Sequence, residues 1–293
     1  MGASFLSAKI HQGSFSGGLL SWSDFHNADL AQSLFSLSKI SRATFQNAKM
    51  FQVQMNNAII ESTDFQSIKA IDGNFSQAEM STCNFQNADI SHARMDYATL
   101  RTINFYSARA IQTNFARAYM PDCLFQWATL REASFRSTVS PGSNFENADV
   151  QDVDFTLAFL AGARITAGQL DTALSITNAT LPDGGIGKNK NLLKNGHAQC
   201  TNSTETITDW IISGDISTDG NQANNDCVFQ AGEVNATLQQ TININRYNRL
   251  ISNGEGQVYI EMQVQMIDPT NPSVYMILRF FDIGNVQLGT DGE

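Results

Sequence analysis

A ten-residue phrase repeats without a break from Ala3 to about Leu160, and that period constrains the fold more than any other feature of the chain. It reads small-x-Phe-x-x-Ala-x-aliphatic-x-x, as in Ser23-Asp24-Phe25-His26-Asn27-Ala28-Asp29-Leu30 and again in Ala43-Thr44-Phe45-Gln46-Asn47-Ala48-Lys49-Met50. Phenylalanine holds 14 of the 16 positions ending in 5 from Phe5 to Phe155, with Met55 and Met95 in the other two. Positions ending in 0 are mostly aliphatic or Met, from Ile10, Leu20 and Leu30 through Leu130, Val150 and Leu160. A spacing of five suits neither regular element. On a helix it rotates the apolar residues by about 140° per step and smears them around the axis. On a flat strand it sends successive Phe to opposite faces. A short extended piece with inward residues two apart, followed by a corner, keeps them all on one side. Four such corners close a square, so one coil takes about 20 residues.

These residues resemble the pentapeptide-repeat family. The resemblance implies a right-handed quadrilateral parallel β-helix, in which the central residue of each five and the residue two before it point inward. The expected core ladder is Phe5, Phe15, Phe25, Phe35, Phe45, Phe65, Phe75, Phe85, Phe105, Phe115, Phe125, Phe135, Phe145 and Phe155. Ala at positions such as Ala28, Ala48, Ala78 and Ala108 fits the tight corner. Cys83 and Cys123 occupy the same slot and read as small buried hydrophobes rather than metal or redox groups. Ile68, Ile103 and Ala110 break the size rule and Ser140 the apolar one; Ser140-Pro141-Gly142 is expected to mark a bulged corner.

After Leu160 the phrase degrades. Thr166 followed by the Leu170/Ala173/Leu174 spacing predicts a short capping helix near 166–174, and Ala179-Thr180-Leu181-Pro182-Asp183-Gly184-Gly185 resembles a last partial coil. The division expected is a β-helix over 1–185 and an antiparallel β-sandwich over 186–293. Val258–Met266 alternates strictly, and Thr237–Ile244 and Val274–Phe281 are further strand candidates. Asn191–Gly196 followed by Trp210, with Leu238–Ile242 and Arg279–Asp282, resembles galactose-binding-like and carbohydrate-binding jelly rolls. The acidic residue usual after the Asn-Gly pair is replaced by His197-Ala198-Gln199, and the strands stop one or two short of that pattern. An incomplete sandwich, or one whose strand a neighbour completes, is the expectation.

The chain carries net −10; up to Gly185 there are 16 acidic and 12 basic residues, and beyond it 12 and 6. That balance argues against a basic nucleic-acid-binding face, and no run of about 18 apolar residues reads as a membrane span. Cys200 and Cys227, in Asn/Thr-rich surroundings, read as a disulfide suited to an oxidising compartment. His11, His26, His92 and His197 sit at unrelated phases of the repeat, and no catalytic fingerprint occurs. The densest acidic group, Asp149, Asp152 and Asp154, is at most a calcium contact, and no cofactor is expected.

Two functional classes follow. The first is a non-enzymatic extracellular rod presenting a sandwich for glycan, surface or subunit contact, with Trp210, Tyr247, Tyr259 and Tyr275 as stacking candidates. It would self-associate head-to-tail or by strand complementation, into filaments, because the repeat starts at Ala3 with no capping element before it. The alternative is a cytoplasmic DNA mimic that inhibits a type II topoisomerase, as some pentapeptide-repeat proteins do. The basic residues interspersed along the repeat weigh against it, because duplex DNA carries one charge per about 1.7 Å.

Overall fold

The computed structural model describes residues 2–188 in full and, beyond them, the backbone of six short strands. Two compact units are distinguished, Met1–Tyr247 and Asn248–Glu293. Parallel bridges join residues 20 apart all along the repeat, from Ser4↔Asp24 to Asn144↔Arg164. Each 20-residue coil therefore has four short walls, and neighbouring coils lie about 4.8 Å apart. The longest of these contacts form β1 (Lys39–Ser41), β2 (Ile59–Glu61), β3 (Glu79–Ser81) and β4 (Thr99–Arg101), one parallel sheet in the order β1-β2-β3-β4. Wall 1 has Phe5, Phe25 and their successors inward, wall 2 Ile10 and Leu30, wall 3 Phe15 and Phe35, and wall 4 Leu20 and Ile40.

The hydrogen bonds of one pentapeptide explain its sequence. The inward residue donates to the next coil (Phe25 N–H to Thr44 C=O, 2.8 Å), and so does the residue two after it (Asn27 to Gln46, 2.9 Å). The residue before it donates to the previous coil (Asp24 to Ala3, 2.9 Å), and the next small residue closes the corner (Ala28 to Phe25, 3.0 Å). The fifth N–H, just after the inward residue, finds a side-chain acceptor where Asp, Asn or Thr precedes that residue. Asp24 Oδ1 takes it from His26 (2.9 Å), Asn104 Oδ1 from Tyr106 (3.0 Å) and Asp154 Oδ1 from Thr156 (2.9 Å). Asp and Asn recur at that position because they complete the set of backbone donors. The residue two after each inward one lies in the left-handed region, as at Asn27 (φ 56) and Asn47 (φ 58). Short polar side chains tolerate this conformation best.

The core is a column of rings. In wall 1 the phenylalanines stack between coils, Phe25 on Phe45 at 4.6 Å and Phe125 on Phe145 at 4.9 Å between centroids. Across the column they meet wall 3 edge to face, as Phe25 meets Phe35 at 5.6 Å. Phe5 and Phe15 are half-buried and the other twelve ladder phenylalanines fully buried. Cys83 and Cys123 are buried free thiols whose sulfurs approach the carbonyls of Ile60 and Leu100. The expected bulge at Ser140-Pro141-Gly142 is absent: Tyr119↔Val139 and Val139↔Phe159 keep the 20-residue register. Gly142 occupies an ordinary corner at φ +67, where a Cβ would come within 2.6 Å of Asp122 Oδ1.

Helix α1 (Ala167–Thr172) interrupts wall 2 of the last coil. Thr166 and Gln169 form a capping box at its start, and Leu170 enters the core in place of the next wall-2 aliphatic. Gln169 Nε2 also donates to the Phe145 and Ala148 carbonyls (2.7 and 2.9 Å), tying the helix to the coil before it. The detour adds one residue, so the bridges after it join residues 21 apart, Asp154↔Ser175 and Phe159↔Thr180. Ile186 then pairs antiparallel with Thr180.

Beyond the coils, β5 (Ile211–Ser213) pairs with β8 (Thr237–Gln239), β6 (Ile216–Asn221) with β7 (Asp226–Ala231), and β9 (Leu278–Phe281) with β10 (Gln287–Asp291), all antiparallel. The strand expected at Val258–Met266 and the stacking candidates Trp210, Tyr247, Tyr259 and Tyr275 lie outside the described residues. So does Cys200; Cys227 lies on β7, with its backbone opposite Gly220.

Candidate protein-interaction face

The outward residues of the four walls differ in kind. In wall 2 the file before each inward residue is charged almost throughout: Lys9, Asp29, Lys49, Lys69, Asp89, Arg109, Thr129, Asp149. In wall 1 the equivalent file is mostly Asp and Asn, and their side chains join coil to coil, Asn104 to Asn84 and Asn84 to Asp64 (3.1 and 3.2 Å). Wall 2 also carries an amide ladder at its far corner, Gln12 to Gln32 to Gln52 (3.0 and 2.9 Å).

Wall 4 carries more exposed apolar side chains on its outside than the other walls. The file that starts at Leu19 runs through Lys39, Ile59, Glu79, Thr99, Tyr119, Val139 and Phe159 to Thr180. Leu19, Ile59, Tyr119, Val139 and Phe159 are all exposed, the last three in consecutive coils. Beside them in the next file stand Pro121 and Pro141. Four more large exposed side chains flank this wall at its corners: Trp22, Leu37, Tyr97 and Leu157, at φ values of 62, 61, 59 and 59. A bulky residue in the left-handed region costs about 1–2 kcal/mol relative to an ordinary conformation. Here that cost is met without burial, since these side chains are 49–67 % exposed. Of the 16 large exposed hydrophobics of the described residues, nine lie on wall 4 or its two corners. Apolar side chains gathered on one face mark an interaction surface more than the same residues scattered singly would.

Arginines cover part of this face. Arg101 lies over the Tyr119 ring at 4.8 Å, Arg117 over Tyr97 at 5.3 Å and Arg42 over Trp22 at 5.0 Å. Such stacks hold a ring in place while leaving its edge open to a partner.

Several carboxylates are paired with arginines. Arg131 meets Asp149 at 2.5 Å, Arg94 meets Asp96 at 3.1 Å, Arg109 meets Asp89 at 3.8 Å and Arg164 meets Glu146 at 3.9 Å. Burial pushes the Asp96 carboxyl up, but hydrogen bonds from Arg94 and Ser76 outweigh it and hold the group below the usual carboxylate range. The His11 hydrogen bond, against a smaller opposing effect of burial, lowers Asp29. Asp149 and Asp154, named above as part of a calcium contact, belong to different walls, and each faces an arginine. Among the described residues no group of His, Cys, Asp and Glu could hold a metal ion. Burial pushes the Cys83 and Cys123 thiols up to about 12, so neither is a nucleophile near neutral pH.

Wall 4 escapes a reading of the sequence that follows the inward residues. Its signal has a period of 20 rather than ten, in the residue before every fourth inward position from Leu19 to Phe159.

Pentapeptide repeats match this chain in eight copies, over residues 19–57, 58–96, 83–120 and 123–162. Among similar solved structures is HetL, a pentapeptide repeat protein involved in heterocyst differentiation regulation in the cyanobacterium Nostoc sp.. It is 17 % identical with a TM-score of 0.48, over 62 % of this chain and 91 % of that one. Another is trypsin-treated QnrB1, a plasmid-mediated fluoroquinolone resistance protein, 17 % identical with a TM-score of 0.49, over 56 % of this chain and 86 % of that one. No curated protein matches the sequence.

The extracellular, glycan-presenting reading is corrected here. The family match is to pentapeptide repeats, over residues within 19–162. The stacking aromatics and the Cys200–Cys227 disulfide on which that reading rested are not among the described side chains. Among the described residues no helix is long and apolar enough to cross a membrane.

Proposed function

We propose that the pentapeptide-repeat coils form a non-enzymatic scaffold that binds a protein through wall 4. The observation that carries this reading is the segregation of exposed apolar side chains onto that wall, with charged and amide files on the others. A stacked core with hydrogen-bonded walls presents such a face without ordering it on binding, which lowers the entropic cost of association. The division at 185/186 into coils and a sandwich belongs to the same proposal. The test compares capture of partner proteins from the source cells by the intact protein and by two variants. Phe159→Asp should remove the specific partner, and Thr129→Asp, on wall 2, should retain it. Equal capture by both variants would refute the role of wall 4.

The topoisomerase-directed reading now stands ahead of the extracellular one. Its supporting observation is the excess of carboxylates in the coils, 16 acidic against 12 basic residues up to Gly185. The arginine pairing of Asp89, Asp96, Asp149 and Glu146 works against it, because a DNA mimic needs unpaired negative charge along one side. A supercoiling assay with DNA gyrase decides. Inhibition at equimolar protein that fades as salt rises would favour the mimic, and unaltered supercoiling would remove it.

A further inference from the structure

Resting on that reading, we infer that wall 4 takes an extended acidic and apolar peptide segment of its partner, with carboxylates held by Arg101 and Arg117 and apolar side chains laid over Val139 and Phe159. The described arginines fall into two groups. Arg94, Arg109, Arg131, Arg136 and Arg164 each meet a carboxylate within 4.0 Å. Arg42, Arg101 and Arg117 meet none among the described residues and lie instead over the rings of Trp22, Tyr119 and Tyr97. All three stand on wall 4 or its corners, where the exposed apolar side chains gather. A guanidinium stacked by its face keeps its N–H edge free. One already ordered on a ring loses little further freedom when it grips a planar carboxylate.

Arg101 and Arg117 belong to one site. Tyr119 follows Thr99 by one coil, and both lie in the file between the two arginines, with Arg101 on one side and Arg117, at a corner with φ 61, on the other. Arg117 also donates from Nη1 to the Tyr97 hydroxyl, which fixes the side chain and leaves most of its donors free. Toward the C-terminus the surface turns apolar, since Val139 and Phe159 follow Tyr119 in the same file, with Pro121 and Pro141 beside them. Toward the N-terminus Glu79 stands one coil from Thr99 and repels an anion. The acidic end of the peptide therefore lies at the arginines and its apolar end toward Phe159. An extended peptide presents the same face every second residue, about 6.7 Å. An acidic residue at the arginines is then followed by two apolar ones along the two coils, about 9.6 Å, from Tyr119 to Phe159. Nucleic acid fits this site less well, because its charges, one per about 1.7 Å, run on past the arginines. They would meet coils that hold 16 acidic against 12 basic residues up to Gly185.

The experiment selects short random peptides displayed on phage with the intact protein, then measures a labelled synthetic copy of the most enriched sequence by fluorescence anisotropy. Both arginines are exposed, so their variants preserve the core, and circular dichroism melts establish that each is folded. Asp and Glu should be enriched beside aromatic or aliphatic residues. Arg101→Gln and Arg117→Gln should each weaken binding of the labelled peptide by about fivefold or more, the loss of one charge-assisted contact. Arg109→Gln, whose guanidinium faces Asp89 on wall 2, should leave binding unchanged. Exchanging the acids of the peptide for amides should weaken it as the arginine variants do, and Phe159→Asp should weaken it as well. Selected peptides without an acidic excess, or an acidic peptide indifferent to both arginines, would overturn the inference. So would a labelled DNA duplex that bound through the same arginines more tightly than the peptide. Apolar peptides lost on Phe159→Asp but not on Arg101→Gln would remove the acidic partner and leave the binding role of wall 4 standing. A library yielding no peptide that depends on Phe159 or on either arginine would remove both.

Discussion

Replacing Phe125 by Ala should destabilise the protein more than replacing Phe75, although both rings are fully buried. Removing either ring leaves a cavity and costs about 3–5 kcal/mol. The difference lies in the neighbours. Phe125 stacks on Phe105 and Phe145, each at 4.9 Å, and meets Phe115 and Phe135 edge to face at 5.9 and 5.6 Å. Phe75 has one ring contact, an edge-to-face approach to Phe85 at 6.1 Å, because its own file continues through Met55 and Met95. Aromatic pairs contribute about 0.5–1.5 kcal/mol each beyond the area they bury. Sulfur–ring contacts from the two methionines return part of that to Phe75. Phe125→Ala should therefore cost about 1–2 kcal/mol more than Phe75→Ala. Guanidinium unfolding of the intact protein, followed by circular dichroism, measures both losses from the midpoints if the slopes agree. Phe125→Leu and Phe75→Leu keep most of the volume and should preserve the ranking. Equal losses would show that ring stacking adds nothing beyond volume, and a Phe75→Ala loss below about 1 kcal/mol would refute its inward register.

Leu124 stands where Asn84, Asn104 and Asn144 accept an N–H, so Leu124→Asn should stabilise the chain by about 0.5–1.5 kcal/mol and slow hydrogen exchange at the Gln126 amide; faster exchange would contradict the side-chain acceptor argument. The Ser140 hydroxyl is fully buried without a partner, so Ser140→Ala should raise stability by about 1 kcal/mol in the same unfolding experiment, and a loss would point to an acceptor that the hydroxyl serves. Because the folded-state pKa of Asp96 is lowered, its stabilisation is present above the unfolded carboxylate range near pH 4 and fades as pH falls through the folded value. Asp96→Asn should accordingly weaken the protein at pH 7 and narrow its gap from the wild type at pH 2–3, and a gap constant with pH would refute the pairing with Arg94 and Ser76.

The period of the inward residues is enough by itself to specify the coil. Phe or an aliphatic every fifth residue, with a small residue two before it, leaves few ways to keep one side dry. The end of the regular coils is equally legible, since the phrase fails after Leu160 and Thr166 caps α1 shortly beyond it. The pairing of outward residues 20 apart is not legible in this way. Leu19, Ile59, Tyr119, Val139 and Phe159 look like unrelated exceptions along the chain, because surface residues obey no rule of burial that would make them periodic. Only the closure of the coil into four walls sets them in one file and turns them into a face. The Ser140-Pro141-Gly142 corner shows the same limit in reverse. Its residues look disruptive in isolation, yet the coils above and below hold Val139 in register, because four inter-coil contacts per turn outweigh one poor local choice. Local chemistry therefore determined which side of each residue faces inward, and winding alone decided which outward residues became neighbours.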